Sequence, residues 1–142
     1  MNRFQRAVHS ALVLGSVLAL AGCGMGDSGP SSHTVKRLTA NASYQDVLKV
    51  GAFRLQMEAI DGTSSPGYLK VHAAMEKLEK HKARFVRKLE DHMEEKGCTK
   101  VGGGKYHCSV VVKNPKTHGE KSFIVTINKA GSVWTLSRIN PV

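Results

Sequence analysis

The sequence predicts an α+β domain in which one long helix, preceded by a segment that reads as a shorter helix, covers a three-stranded antiparallel meander. Three observations carry this. Residues 68–96 run without Gly or Pro and place apolar side chains three and four apart. Three runs rich in Val, Ile, Thr and aromatics follow, divided by short Gly- or Pro-bearing turns. With 142 residues, 41% hydrophobic and 23% charged, the chain has room for one domain, and its only long apolar run sits at the extreme N-terminus. That excludes both a disordered tail and a polytopic membrane protein.

The first element is a leader. Arg3 and Arg6 precede residues 7–20 (AVHSALVLGSVLAL), an apolar stretch of secretory-signal length, too short to span a bilayer comfortably. Leu20-Ala21-Gly22-Cys23 then resembles the lipobox of bacterial lipoproteins, where small residues let a peptidase hold extended backbone. The resemblance implies that the Cys23 thiol carries a diacylglyceryl group, that cleavage follows residue 22 and that the new amine is often acylated too, with palmitate an expected acyl group. The alternative is an ordinary secretory signal that happens to contain a Cys. Two or three acyl chains anchor stably, at roughly 0.8 kcal/mol per buried CH₂. Gly24, where sorting in enterobacterial lipoproteins uses Asp for inner-membrane retention, favours the periplasmic side of the outer membrane.

This divides the chain into a signal peptide (1–22), a lipidated Cys with a flexible tether (23–42) and a small α+β domain (43–142). The tether is read from residues 24–39, GMGDSGPSSHTVKRLT, dense in Gly, Ser and Pro. Its Lys36 and Arg37 lie within reach of anionic headgroups or simply in solvent. Ser43 followed by Asp46 reads as a helix cap, predicting a helix over 44–60. Residues 53–59 also alternate apolar and polar with period two, as a strand would, although Gln, Met, Glu and Ala favour helix. Residues 61–67 (DGTSSPG) are a loop.

The helix over 68–96 would be roughly 43 Å long. Tyr68, Val71, Met75, Leu78, Phe85, Leu89 and Met93 form its buried stripe, interrupted at Lys82, and Gly97 ends it. A coiled-coil dimer is the alternative use of that stripe. The strands are read at 105–113, 121–128 and 132–139. Cys98 and Cys108 remain as an even pair once Cys23 is assigned to lipid, and in an oxidising compartment they are expected to form a disulfide across the Gly-rich residues 99–107. A metal site from Cys98, His107 and Cys108 is the poorer alternative: neighbours on a strand point to opposite faces, and a fourth ligand at zinc spacing is missing. Helix followed by a meander ending on Gly131 and Trp134 resembles the cystatin-like and NTF2-like small lipoproteins, over about residues 43–140.

Charge is uneven. From residue 98 onward seven basic residues stand against Glu120 alone, whereas 68–96 hold eight basic and six acidic. Lys100, Lys105, Lys113, Lys116, Lys121 and Lys129 are therefore candidate contacts for an anionic partner, an envelope protein or anionic envelope polymer; the alternative is a solvated surface that protects sheet edges. Nucleic acid fits neither the compartment nor the lack of interleaved aromatics. His81 and His92 are roughly 16 Å apart along a helix and cannot share a metal, and His72 faces away from both. Gly102-Gly103-Gly104-Lys105 lacks the spacing and the Ser or Thr of a P-loop, and neither Gly-x-Ser-x-Gly nor His-Glu-x-x-His occurs. The expectation is a lipid-anchored, non-enzymatic binding or assembly module without cofactor or metal. A periplasmic inhibitor or immunity protein acting through a loop at 113–118 is the alternative, and an accessory subunit of a secretion apparatus a further one.

Overall fold

The computed structural model describes residues 28–142; the segment expected to be a signal peptide (1–22), the expected lipidation site Cys23 and the start of the expected tether lie outside the described residues. Ser31 opens the first helix, α1 (Ser32–Glu58): its backbone is extended, and its Oγ accepts a hydrogen bond from Thr34 N at 3.1 Å. Residues 32–42 are therefore helix rather than tether, and they belong to the domain, because Val35, Thr39 and Ala40 are buried. Ser43 is not a cap either; mid-helix, its Oγ donates to Thr39 O at 2.9 Å. Residues 53–58 are helical, so their alternation leaves Phe53 and Met57 in solvent.

A 3-10 turn (Ala59–Asp61) leads through a loop into α2 (Pro66–Lys80), where Ser65 Oγ accepts from Tyr68 N and Pro66 sits in the first turn. The single helix expected over 68–96 is broken at His81, and α3 (Lys82–Asp91) ends short of it. The break falls where the apolar stripe is interrupted, and it gives the two halves different partners. Phe85, Val86 and Leu89 join the core, whereas Val71 and Met75 lie along the distal half of α1, with the Met75 sulfur close against Gly51. Lys82 Nζ sits 5.3 Å above the Tyr44 ring.

Residues 93–102 form a strand, β1 (Met93–Gly102), so the sheet has four strands and not three. It continues through β2 (Lys105–Lys113), β3 (Glu120–Ala130) and β4 (Val133–Pro141) as an antiparallel meander in the order β1-β2-β3-β4. Met93, Glu94 and Glu95 are good helix formers, but their partners in register are Val112, Val111 and Val110. Ladder bonds and the burial of Met93 override local propensity. Gly97 is consequently not a helix cap; at φ +138° it occupies an irregularity in the β1–β2 register.

One face of the sheet carries Tyr106, Cys108 and Val110 of β2 and Val125 and Ile127 of β3, all buried, with Trp134, Leu136 and Ile139 of β4 around them. The first half of α1 and all of α3 cover this face, giving two layers. Tyr106 meets Trp134 edge-on at 5.6 Å, and Tyr44 meets Phe85 at 5.8 Å.

Candidate functional site

Where α1 and the α3–β1 junction overhang the ends of β2 and β3, the two layers part into a cleft of about 560 Å³, within the usual range for small-ligand sites. Its walls are apolar: Leu89 and Met93 on one side, Val112, Phe123 and Ile139 on the other. The period-two pattern of β2 and β3 turns Val112 and Phe123 toward the helices, and a register shift between β3 and β4 at Thr126/Ile127 brings Ile139 to the same face, opposite Val125. Thr39 and Ser43 reach the cleft from α1, but both hydroxyls donate back to helix carbonyls.

The mouth is built by Lys113, Glu120, Lys121 and the connecting loop 114–119. This loop is ordered by its own hydrogen bonds. Asn114 Oδ1 accepts from the backbone N–H of Lys116 at 2.9 Å and Thr117 at 3.3 Å, and Asn114 exchanges backbone bonds with His118 and Gly119. His118 closes the turn at φ +55°.

Charge at the mouth is partly neutralised. Lys113 Nζ lies 3.2 Å from Glu94 and 3.8 Å from Glu120, and Lys96 approaches the other oxygen of Glu94 at 2.6 Å. Hydrogen bonds from Lys96 and Lys113 hold the Glu94 carboxyl below its ordinary range, and Glu94 in turn raises the Lys113 ammonium. Lys116 and Lys121 make no ion pair among the described residues, so they leave the rim with uncompensated positive charge.

The six lysines singled out by charge thus divide. Lys113, Lys116 and Lys121 line one cleft. Lys105 begins β2 at the far end of the sheet, Lys129 lies 5.2 Å over the Trp134 ring, and Lys100 stands opposite Tyr106 on β1. Leu89, His92, Met93, Phe123 and Ile139 line the cleft without having been read as site residues; the alternation of β3 could have pointed to Phe123, whereas Ile139 reaches this face through a register shift that alternation does not reveal. Cys98 and Cys108 are direct partners across β1 and β2, their sulfurs joined, with Cα atoms 4.0 Å apart. This pair lies outside the cleft lining and fixes the β1–β2 hairpin.

Among the described residues no three His, Cys, Asp or Glu side chains come together as a metal site, and no helix is long and apolar enough to cross a membrane. No family model, curated protein or solved structure matches the chain. The cleft combines apolar walls with lysine side chains at its mouth.

Proposed function

We propose that the protein is a lipid-anchored, non-enzymatic module of the bacterial envelope, tethered through Cys23 on the periplasmic side of the outer membrane, and that it holds an anionic envelope component in this cleft. The observation that carries the reading is the coincidence of an apolar cleft, two lysines without an ion pair, Lys116 and Lys121, and a loop ordered by its own hydrogen bonds. Apolar walls supply affinity, and the lysines supply charge selection and a faster encounter.

Photo-crosslinking in intact cells tests this. A benzoylphenylalanine replacing Phe123, inside the cleft, should give one dominant adduct with the full-length lipidated protein, and the same group at Lys105, at the other end of β2, should not. Combined Lys116→Glu and Lys121→Glu substitution should remove the adduct. Equal labelling from both positions, or none from 123, argues against the cleft as the binding site.

The ordered 114–119 loop favours one second reading, an inhibitor or immunity protein that presents this loop to a hydrolase or toxin. In that case the adduct from Phe123 would be a soluble foreign protein, and charge reversal at Lys113 and Lys116 would abolish its inhibition.

A further inference from the structure

Helix α1 is about 40 Å long, yet its buried residues stop at Tyr44. Leu48 still packs against the core; beyond it the described element that accompanies α1 is α2. Five large apolar side chains beyond Tyr44 are exposed: Val47 at 44%, on the side of the groove shared with α2, Val50 at 56%, Phe53 at 63%, Met57 at 53% and Ile60, in the 3-10 turn, at 76%. At 100° per residue Val50, Phe53 and Met57 fall within a sector of about 60°, the same sector that Val35 and Thr39 use to cover the sheet. Leu48, Gly51 and Leu55 occupy the roughly opposite sector, toward α2, where Gly51 meets Met75. Val50, at the edge of the stripe, also borders the shallow groove between α1 and α2. The sheet-covering face of α1 thus continues as an apolar stripe that no described element covers.

We infer that this stripe docks on the surface of the lipid bilayer, so that the domain is held at two points, by acyl chains at Cys23 and by the distal half of α1. The inference rests on the lipid-anchored reading. Only residues 24–30 separate Cys23 from the Ser31 cap, at most about 28 Å of chain, so an anchored domain cannot leave the vicinity of the membrane. Lys49 and Arg54 stand on the two flanks of the stripe, where their ammonium and guanidinium groups reach anionic headgroups while Phe53 and Met57 enter the acyl boundary. Asp46, 3.5 Å from Lys49, and Asp61 bound the stripe at its ends. A second copy is a poorer occupant. The chain carries a formal charge of +10, so two copies repel one another, and the stripe consists of a few side chains where a stable pair uses about 20–30 residues a side.

The test uses the full-length protein, matured from its leader and reconstituted into vesicles of phosphatidylethanolamine and phosphatidylglycerol. In a Trp134→Phe background, Phe53→Trp reports on the stripe and Ala73→Trp reports on the exposed outer side of α2. Vesicles should shift the emission of Trp at 53 to the blue, and acyl-brominated phospholipids should quench it at least about twofold, while Trp at 73 stays unquenched. Absence of quenching at 53, or equal quenching at both positions, overturns the inference. So does a blue shift without vesicles that grows with protein concentration, which would assign the stripe to a second copy. If Trp134→Phe disturbs folding, Ile60→Trp with Trp134 retained gives the same reading by difference. The mass of the N-terminal peptide reports acylation separately. Acylated protein without quenching keeps the anchor and removes the docking; quenched protein without acylation does the reverse.

Discussion

Arg37 of α1 and Glu90 of α3 meet across the helix interface, Nε to Oε1 at 3.5 Å, with only 15% of the Glu90 side chain accessible. Glu90 Oε1 accepts no hydrogen bond among the described residues, so the guanidinium charge is what offsets its partial burial. Arg37 therefore serves the fold, in a stretch whose composition had suggested a tether beside the membrane. Arg37→Ala should cost about 1 kcal/mol of stability in urea unfolding, the exposure of Arg37 keeping the effect small. Lys36→Ala should stay within ~0.5 kcal/mol. Adding Glu90→Gln to Arg37→Ala should recover most of the loss, because the part-buried charge is then gone; failure to recover would mean that Arg37 acts through packing of its stem instead.

The Cys98–Cys108 bond closes a hairpin whose strands already pair, so its contribution lies mainly in restricting the unfolded chain. Loop-closure entropy for 10 residues of separation amounts to roughly 3 kcal/mol. Reduction, or Cys98→Ser with Cys108→Ser, should lower the thermal midpoint on the order of 10 °C. Circular dichroism of oxidised and reduced protein checks this, and identical midpoints would show that the bond adds nothing to β1–β2 pairing.

Gly104 closes the β1–β2 turn at φ +70°, its carbonyl accepting Lys129 N at 2.7 Å. A Cβ there would lie 2.8 Å from Lys129 O, whereas one on neighbouring Gly103 meets nothing within 4 Å. Gly104→Ala should therefore destabilise by about 1–3 kcal/mol, through both the left-handed backbone and the clash. Gly103→Ala should be nearly neutral, and a chemical-denaturation comparison of the two separates turn geometry from general loss of glycine freedom.

Much of this architecture was legible because each strand of the meander carries its own signal. The alternation of β2, β3 and β4 and their Gly- or Pro-bearing turns require no knowledge of the rest of the chain, and they place Phe123 on the helix side; Ile139 joins it only through the register shift at Thr126/Ile127, which local alternation does not reveal. β1 was not legible for the opposite reason: Met93-Glu94-Glu95-Lys96 are helix formers, and what makes them a strand is the valine run they pair with in β2. The break at His81 left only the gap in the stripe at Lys82. The cleft could be anticipated as charge but not as a place, since Lys113, Lys116 and Lys121 share a mouth with Lys105 and Lys129 elsewhere only because of how the hairpins fold.

Glu94 links the same strand to pH. Its carboxyl is held below the ordinary value of 4.5 by Lys96 and Lys113, so the unfolded chain binds the proton more readily than the folded one. The stabilisation is fully present above the ordinary carboxylate range and is lost as pH falls through the lowered folded value. All three side chains are solvent-accessible, so the effect is modest and shrinks in salt. Thermal midpoints measured downward from pH 5 should fall less steeply for Glu94→Gln than for the native chain at low ionic strength, and the two slopes should converge in high salt. Parallel slopes at low salt would remove Glu94 from the acid response.

The boundary of the domain is the sharpest difference between composition and structure, and it has a direct consequence. Residues 28–42 look like linker because Gly, Ser and Pro precede them and large apolar residues are few, yet Val35 is fully buried and Thr39 and Ala40 nearly so. Gly29 lies against the Tyr106 ring, and Ser31 caps the helix. Removing residues 32–42 from the full chain would strip the first three turns of α1 from the core, and the product should lose its cooperative thermal transition. A domain that began at residue 43 would melt unchanged. Single substitutions give the same answer without truncation: Ser31→Ala should cost about 1 kcal/mol as a lost cap, and Val35→Asp should cost considerably more, since it places an unpaired carboxylate among Val110, Val125 and Ile127 of the common core. If Val35→Asp unfolded at the same denaturant concentration as the native chain, this segment would be tether after all.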